Sequence, residues 1–172
     1  FLSANVYSQN SVKRPDTYNY NRGLEELRNE NYSEALNFFN KEIEADKQNG
    51  YAYSWIAMIR HTQEEYGRAL TAVNMALKYI PKRDVDFLSA TYNVRAGIYL
   101  ALEDTINALN DYASSIKTNP SEENTYEKRA QIYYEQDKYD LADADYRQII
   151  KLNPGGVMGF MGIGRNRNAQ KR

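Results

Sequence analysis

The chain has 172 residues, a one-domain length, with 42% hydrophobic and 26% charged side chains and a formal net charge of −1. So even a charge balance offers no general attraction for phosphate backbones or anionic lipid, which argues against nucleic acid as a partner. Cysteine is absent, which excludes disulfides, thiolate metal sites and cysteine nucleophiles, and only 4 prolines and 9 glycines interrupt the chain, which favours long helices.

The chain begins F-L-S-A-N-V-Y-S-Q. An apolar start followed by Val6, Tyr7 and Ser8, with uncharged residues at the −3 and −1 positions of a cut between Ser8 and Gln9, resembles the end of a secretory signal peptide. The expectation is an exported protein, periplasmic or at a bacterial cell surface, with residues 1–8 as a leader remnant and 1–15 as a flexible leader. A polar tail is the alternative reading. No apolar stretch approaches the roughly 20 residues that span a bilayer, so membrane insertion is not expected.

From Asp16 onward the sequence repeats. The small alanines of Y-S-E-A35-L, Y-G-R-A69-L, T-I-N-A108-L and Y-D-L-A142-D are separated by 34, 39 and 34 residues. With these alanines numbered as position 20, the repeats are 16–49, 50–83, 89–122 and 123–156, and five residues, 84–88, are inserted between the second and third. Position 8 is then Gly23, Ala57, Ala96 and Ala130. Small side chains at positions 8 and 20 let two helices of one repeat approach closely. Pro81, Pro120 and Pro154 stand at position 32, where they stop the second helix. Ten of the 16 tyrosines fall at positions 4, 11, 17 and 24, as large semi-polar plates between helices.

Each repeat is predicted to form two antiparallel helices, A over positions 1–14 and B over positions 15–30. In the first, Asn31 followed three residues later by Glu34 reads as a variant of a capping box. Glu42 stands at position 27, which Ser115 and Ile149 hold in the third and fourth repeats, and Lys47 replaces the position-32 proline. In the insertion, Asp84 is placed to cap an early start of the third A helix; a loop is the alternative. After Pro154 a partial fifth repeat begins at 157, with Phe160, Ile163 and Gly164 at positions 4, 7 and 8. Arg172 falls at position 16, where the next helix should start, so the chain reads as an N-terminal piece of a longer protein. The glycines of this segment predict a weak, fraying helix.

A period near 34 with these framework positions resembles the tetratricopeptide repeat family. The resemblance covers Asp16 to the end of the chain. It implies an all-α fold, a right-handed α-α superhelix of four full repeats plus a truncated fifth, whose A helices line a concave groove for a protein or peptide. Carried over by position, the groove residues are Tyr20 and Leu24 in the first repeat and Tyr51, Trp55, Met58 and His61 in the second. They are Asn93 in the third and Glu127, Gln131 and Tyr134 in the fourth. Packing between repeats is the alternative for Tyr20, Tyr51, Trp55 and Met58. The lysines, asparagine and arginine with which one family subtype grips a chaperone's C-terminal carboxylate are replaced here by Tyr20, Leu24, Ala90 and Val94. That ligand is therefore not expected. An extended peptide with an apolar or aromatic portion suits the groove better, with Asn93 and Gln131 bonding its backbone.

No catalytic or cofactor constellation is legible. G-x-x-G-x-G at Gly159, Gly162 and Gly164 has no preceding strand and no following G-K-[ST]. His61 is the single histidine. The acids Asp137, Asp140, Asp143 and Asp145 lack a calcium-loop pattern and read as a solvated face, and Arg165, Arg167, Lys171 and Arg172 as a solvated chain end. The expectation is a non-catalytic binding scaffold without metal or cofactor. The alternatives are an arm of a larger enzyme, or a structural spacer that self-associates through exposed repeat edges.

Overall fold

The computed structural model describes residues 12–171, so the leader reading of residues 1–8 lies outside the described residues. Among these there is no strand, and nine α-helices follow one another: α1 Tyr18–Arg28, α2 Tyr32–Ala45, α3 Gly50–Thr62, α4 Tyr66–Tyr79, α5 Val85–Ala101, α6 Thr105–Thr118, α7 Glu123–Glu135, α8 Tyr139–Leu152 and α9 Met158–Ala169. They form two compact units, one ending at Val94 and the other starting at Arg95, so that α5 contributes to both.

Small residues set the helix pairs in each unit. In the first, Ala35, Ala57 and Ala69 are fully buried. Gly23 faces Phe39 so closely that a Cβ there would lie 2.8 Å from the ring, which only glycine avoids. In the second unit Ala96, Ala108, Ala130 and Ala142 are fully buried. Tyrosine plates close the gaps: Tyr112 packs with Ala96, Ala108 and Ile132, and Tyr146 with Tyr126, Ala130, Ala142 and Ile149.

Local chemistry starts and stops the helices. Side chains of Thr17, Asn49 and Asp104 accept from the first-turn amides of α1, α3 and α6 at 3.2, 3.1 and 3.1 Å. Residues 84–88 are not a loop: Asp84 accepts from the Phe87 amide at 3.2 Å and α5 begins at Val85. The capping box at Asn31 does not form. Asn31 occupies the cap position without a side-chain bond to the helix, and its amide donates to Glu26 Oε2 at 2.9 Å instead. Pro81, Pro120 and Pro154 each follow a helix C-cap, Ile80, Asn119 or Asn153. The first repeat stops without proline, because Asp46 turns the chain by accepting from the Gln48 amide at 2.9 Å. Glu42, 4% exposed, is accommodated by Thr17 Oγ1 at 2.6 Å and Asn49 Nδ2 at 3.1 Å.

All four A helices that precede a B helix end the same way. Glu30, Glu64, Glu103 and Asp137 have φ of 60, 61, 59 and 56°. Around each, one amide bonds back three residues and the next bonds back five, as Glu64 to His61 at 2.9 Å and Glu65 to Arg60 at 2.8 Å. This is the Schellman arrangement, with an acidic residue where glycine is usual.

Candidate functional site

In the first unit the rings expected to meet a ligand are committed to packing. Tyr20 and Tyr51 are 4% and 6% exposed. Trp55 Nε1 donates to Tyr20 Oη at 2.8 Å, and Tyr51 Oη donates to Asp84 at 3.0 Å. Trp55 lies between Phe39, stacked at 6.5 Å, and Phe87, edge-on at 5.8 Å. Burial and the bond to Asp84 push the Tyr51 phenol up to about 12. The reading of Tyr20 and Tyr51 as groove anchors is therefore corrected: both rings are buried in the unit and both hydroxyls are hydrogen-bonded there. Leu24, Met58 and His61 are half-buried, as is Asn93 on α5. His61 lies against Tyr66 at 5.9 Å, and burial pulls its pKa below the usual value.

The second unit does contain a groove. It is open, of about 990 Å³, and takes Gly97 and Leu100 from α5, and Asn124, Glu127 and Gln131 from α7. Met158, Met161 and Arg165 of α9 line it from another side, and Glu103, Lys128 and Glu135 add charges of both signs. Alternation of apolar and polar residues along α7 explains its contribution: Tyr126, Ala130 and Ile132 turn into the core, leaving Glu127 and Gln131 on the groove side. Thus Glu127 and Gln131, two of the residues expected by position, are brought together. Tyr134 stands in an adjoining recess that shares Met161 and Arg165 with the groove.

The contribution of α9 was not legible. Gly159 and Gly162 are buried against α8, and a Cβ on Gly162 would run into the Tyr146 ring. These glycines thus permit close approach, beyond weakening the helix. That approach delivers Arg165, whose Nη2 donates to Gln131 Oε1 at 2.9 Å and to Tyr146 Oη at 2.7 Å. Its guanidinium lies 4.2 Å from the Tyr134 ring centre. Arg165 is therefore exposed, as expected of a chain end, but also bonded to the unit. Gln131 in turn donates from Nε2 to Glu135 Oε1 at 2.6 Å. With both ends of its amide engaged, Gln131 orients Arg165 instead of waiting for a peptide backbone. Burial raises the Tyr146 phenol pKa, Arg165 opposes the rise, and the charge of Glu127 adds to it.

The acidic run is corrected in part: Asp137 and Asp140 are exposed as expected, while Asp143 and Asp145 are not. Asp145 is 3% exposed and paired with Arg129. Asp143 accepts from Asn166 Nδ2 at 2.6 Å, and Asp137 from Tyr139 Oη at 2.6 Å. Among the described residues no group of three or more His, Cys, Asp or Glu is placed to hold a metal ion, and no helix is long and apolar enough to cross a membrane. The groove presents apolar side chains, hydrogen-bonding groups and charges of both signs.

Residues 124–155, which make up α7, α8 and the turns at their ends, match the family profile of the tetratricopeptide repeat. A repeat-containing protein of Methanocaldococcus jannaschii is 27% identical over 145 residues, 83% of this chain and 24% of the relative. The chain spans about a quarter of the length of the curated relatives it matches. Among solved structures, MamA superposes with a TM-score of 0.73 at 15% identity, covering 89% of this chain and 81% of MamA. YrrB, described as a tetratricopeptide repeat protein with an unusual peptide-binding site, superposes with a TM-score of 0.69 at 17% identity, covering 89% of this chain and 76% of YrrB. These likenesses carry the fold of consecutive helix pairs that the small residues at positions 8 and 20 require. By its matched repeat, its relatives and its fold, the chain is similar to proteins of the tetratricopeptide repeat family.

Proposed function

We propose that this protein is an interaction scaffold without chemistry of its own, and that the groove of its second unit holds an extended segment of a partner protein. The observation that carries the reading is the groove itself, about 990 Å³, where exposed Met158 and Met161 stand beside Asn124 and Arg165. Methionine adapts to many apolar side chains, and the neighbouring polar groups supply direction. The peptide-binding site for which YrrB is described lends support from a protein of the same fold. A place in a bacterial cell envelope is part of the proposal and rests on residues 1–8 alone; fractionation of cells producing the native protein tests it, and recovery in the cytosol would count against it.

Panning a random nonapeptide display library against the protein tests the groove. Enriched peptides are expected to bind at micromolar Kd and to lose about tenfold or more in affinity on Met161→Glu. Met161 is 67% exposed, so that change leaves the fold intact. Failure to enrich any sequence, or peptides indifferent to Met161→Glu, would overturn the reading.

A further inference from the structure

The five residues 84–88 have no counterpart in the other repeats, and two of them help to build a site in the first unit. Asp84 is 3% exposed, and two donors of the unit fix its carboxylate: the Phe87 amide bonds Oδ1 at 3.2 Å and the Tyr51 hydroxyl bonds Oδ2 at 3.0 Å. Arg14 gives each oxygen one bond more, from Nε to Oδ2 and from Nη2 to Oδ1, both at 2.8 Å. Its guanidinium lies 5.3 Å from the Phe87 ring centre. A forked, charge-assisted pair backed by an aromatic face is a geometry that selects arginine over lysine.

Arg14 reaches this place from outside the helices. Residues 12–16 precede α1 and carry no secondary structure. The Arg14 side chain is 48% exposed, whereas that of Asp84 is 4% exposed. The receiving half of the pair is thus built into the unit, and the donating half is laid on from the surface. A cavity of about 700 Å³, lined by Lys13, Arg14 and Pro15 and by Gln48, Tyr79 and Pro81, shows that this arm does not fill the space between itself and the neighbouring helix ends.

We infer that Asp84, Tyr51 and Phe87 form an arginine-recognition site, filled here by the chain's own Arg14 and taken by an arginine of a partner protein when the arm is displaced. The site lies in the first unit and does not rest on the groove of the second. Its groups come from α3 and the start of α5, so the carboxylate keeps its orientation when Arg14 leaves, and a buried charge without a counter-ion then demands a cation. A guanidinium replaces both lost bonds; an ammonium is a point donor, and a neutral urea group has the shape without the charge. The tether gives Arg14 an effective concentration on the order of millimolar, so a partner segment competes through contacts of its own beside the arginine.

Fluorescence anisotropy with pools of acetylated, C-terminally amidated heptapeptides tests this, the central residue being Arg, Lys or citrulline. On Arg14→Ala, in which the site is empty, the Arg pool is expected to bind about tenfold or more tightly than the other two. The native protein should bind the Arg pool about tenfold or more weakly than Arg14→Ala does, because its own arm competes. Asp84→Asn added to Arg14→Ala should erase the preference for arginine, and Met161→Glu in the second unit should leave it unchanged. Should Arg14→Ala not fold, the Nε–H resonance of Arg14 in the native protein decides: an excess of the Arg pool should shift it to the position of free arginine, and an excess of the citrulline pool should not. Equal binding of the three pools or none to Arg14→Ala, equal affinity of the native protein, a preference that survives Asp84→Asn or is lost in Met161→Glu, or an Arg14 resonance unmoved by the Arg pool overturns the site.

Discussion

Arg129 on α7 delivers Nε and Nη2 to the two oxygens of Asp145 on α8, at 2.9 and 2.6 Å. Arg95 on α5 does the same to Asp111 on α6, at 2.7 Å for both bonds. The aspartate side chains are 4% and 5% exposed, so each pair ties an A helix to its B helix away from water. Removing one member leaves the other charge stranded. Asp145→Ala is expected to cost about 3 kcal/mol in urea unfolding, whereas replacing both partners by Met and Leu should recover most of the loss, because the desolvation of two charges disappears with them. A single substitution as mild as the double one would show that water reaches the arginine freely.

Asp84 makes stability depend on acid. Arg14 donates to both of its oxygens at 2.8 Å, and hydrogen bonds from the Phe87 amide and the Tyr51 hydroxyl add to this. Led by Arg14, these bonds hold its carboxyl below the ordinary value of 3.8 despite burial. The unfolded chain then takes up the proton first. The contribution of Asp84 is complete above the ordinary carboxylate pKa and disappears as pH falls through the lowered one. The difference in Tm between the native protein and Asp84→Asn should be steady from neutrality to about pH 5 and shrink below about pH 4. A difference that grows toward acid would contradict this.

Two glycines two residues apart in α9 should respond in opposite directions. A Cβ at Gly162 meets the Tyr146 ring, while a Cβ at Gly164 meets nothing within 4 Å. Gly162→Ala is expected to destabilise by about 1–3 kcal/mol through overpacking. Gly164→Ala should gain up to about 1 kcal/mol from helix propensity. Amide hydrogen exchange along α9 would register both, faster in the first variant and slower in the second.

These cases show where the sequence was readable. Alanines at positions 8 and 20 betray the helix pairs because close approach is a local demand, repeated at a constant interval. Glu127 and Gln131 line the groove because position within an A helix decides the face. What escaped depends on partners far along the chain. Gln131 and Arg165 are 34 residues apart, and Arg14 and Asp84 are 70 apart. Neither motif nor charge run announces such pairs, so Arg165 read as a solvated end. Tyr20 and Tyr51 misled for a related reason: a tyrosine at a groove position looks free until the buried indole or carboxylate that engages its hydroxyl is known.

The turns between paired helices carry a cost that can be removed. Glu30, Glu64, Glu103 and Asp137 adopt the left-handed backbone conformation, which disfavours a side chain by roughly 1–2 kcal/mol relative to glycine. An acid is also badly placed at a helix C-terminus, where the dipole presents its negative end. Glu64 is exposed, so its side chain has little packing to lose. Glycine is freer in the unfolded chain, which offsets part of the gain. Glu64→Gly is expected to stabilise by about 0.5–1 kcal/mol, raising Tm by roughly 2–3 °C, and Glu30→Gly added to it should give a similar second step, since the two turns share no backbone hydrogen bond. Alanine at Glu64 separates the two causes: it removes the charge but keeps the Cβ. A rise in Tm for Glu64→Ala as large as for Glu64→Gly would assign the cost to the charge and not to the backbone.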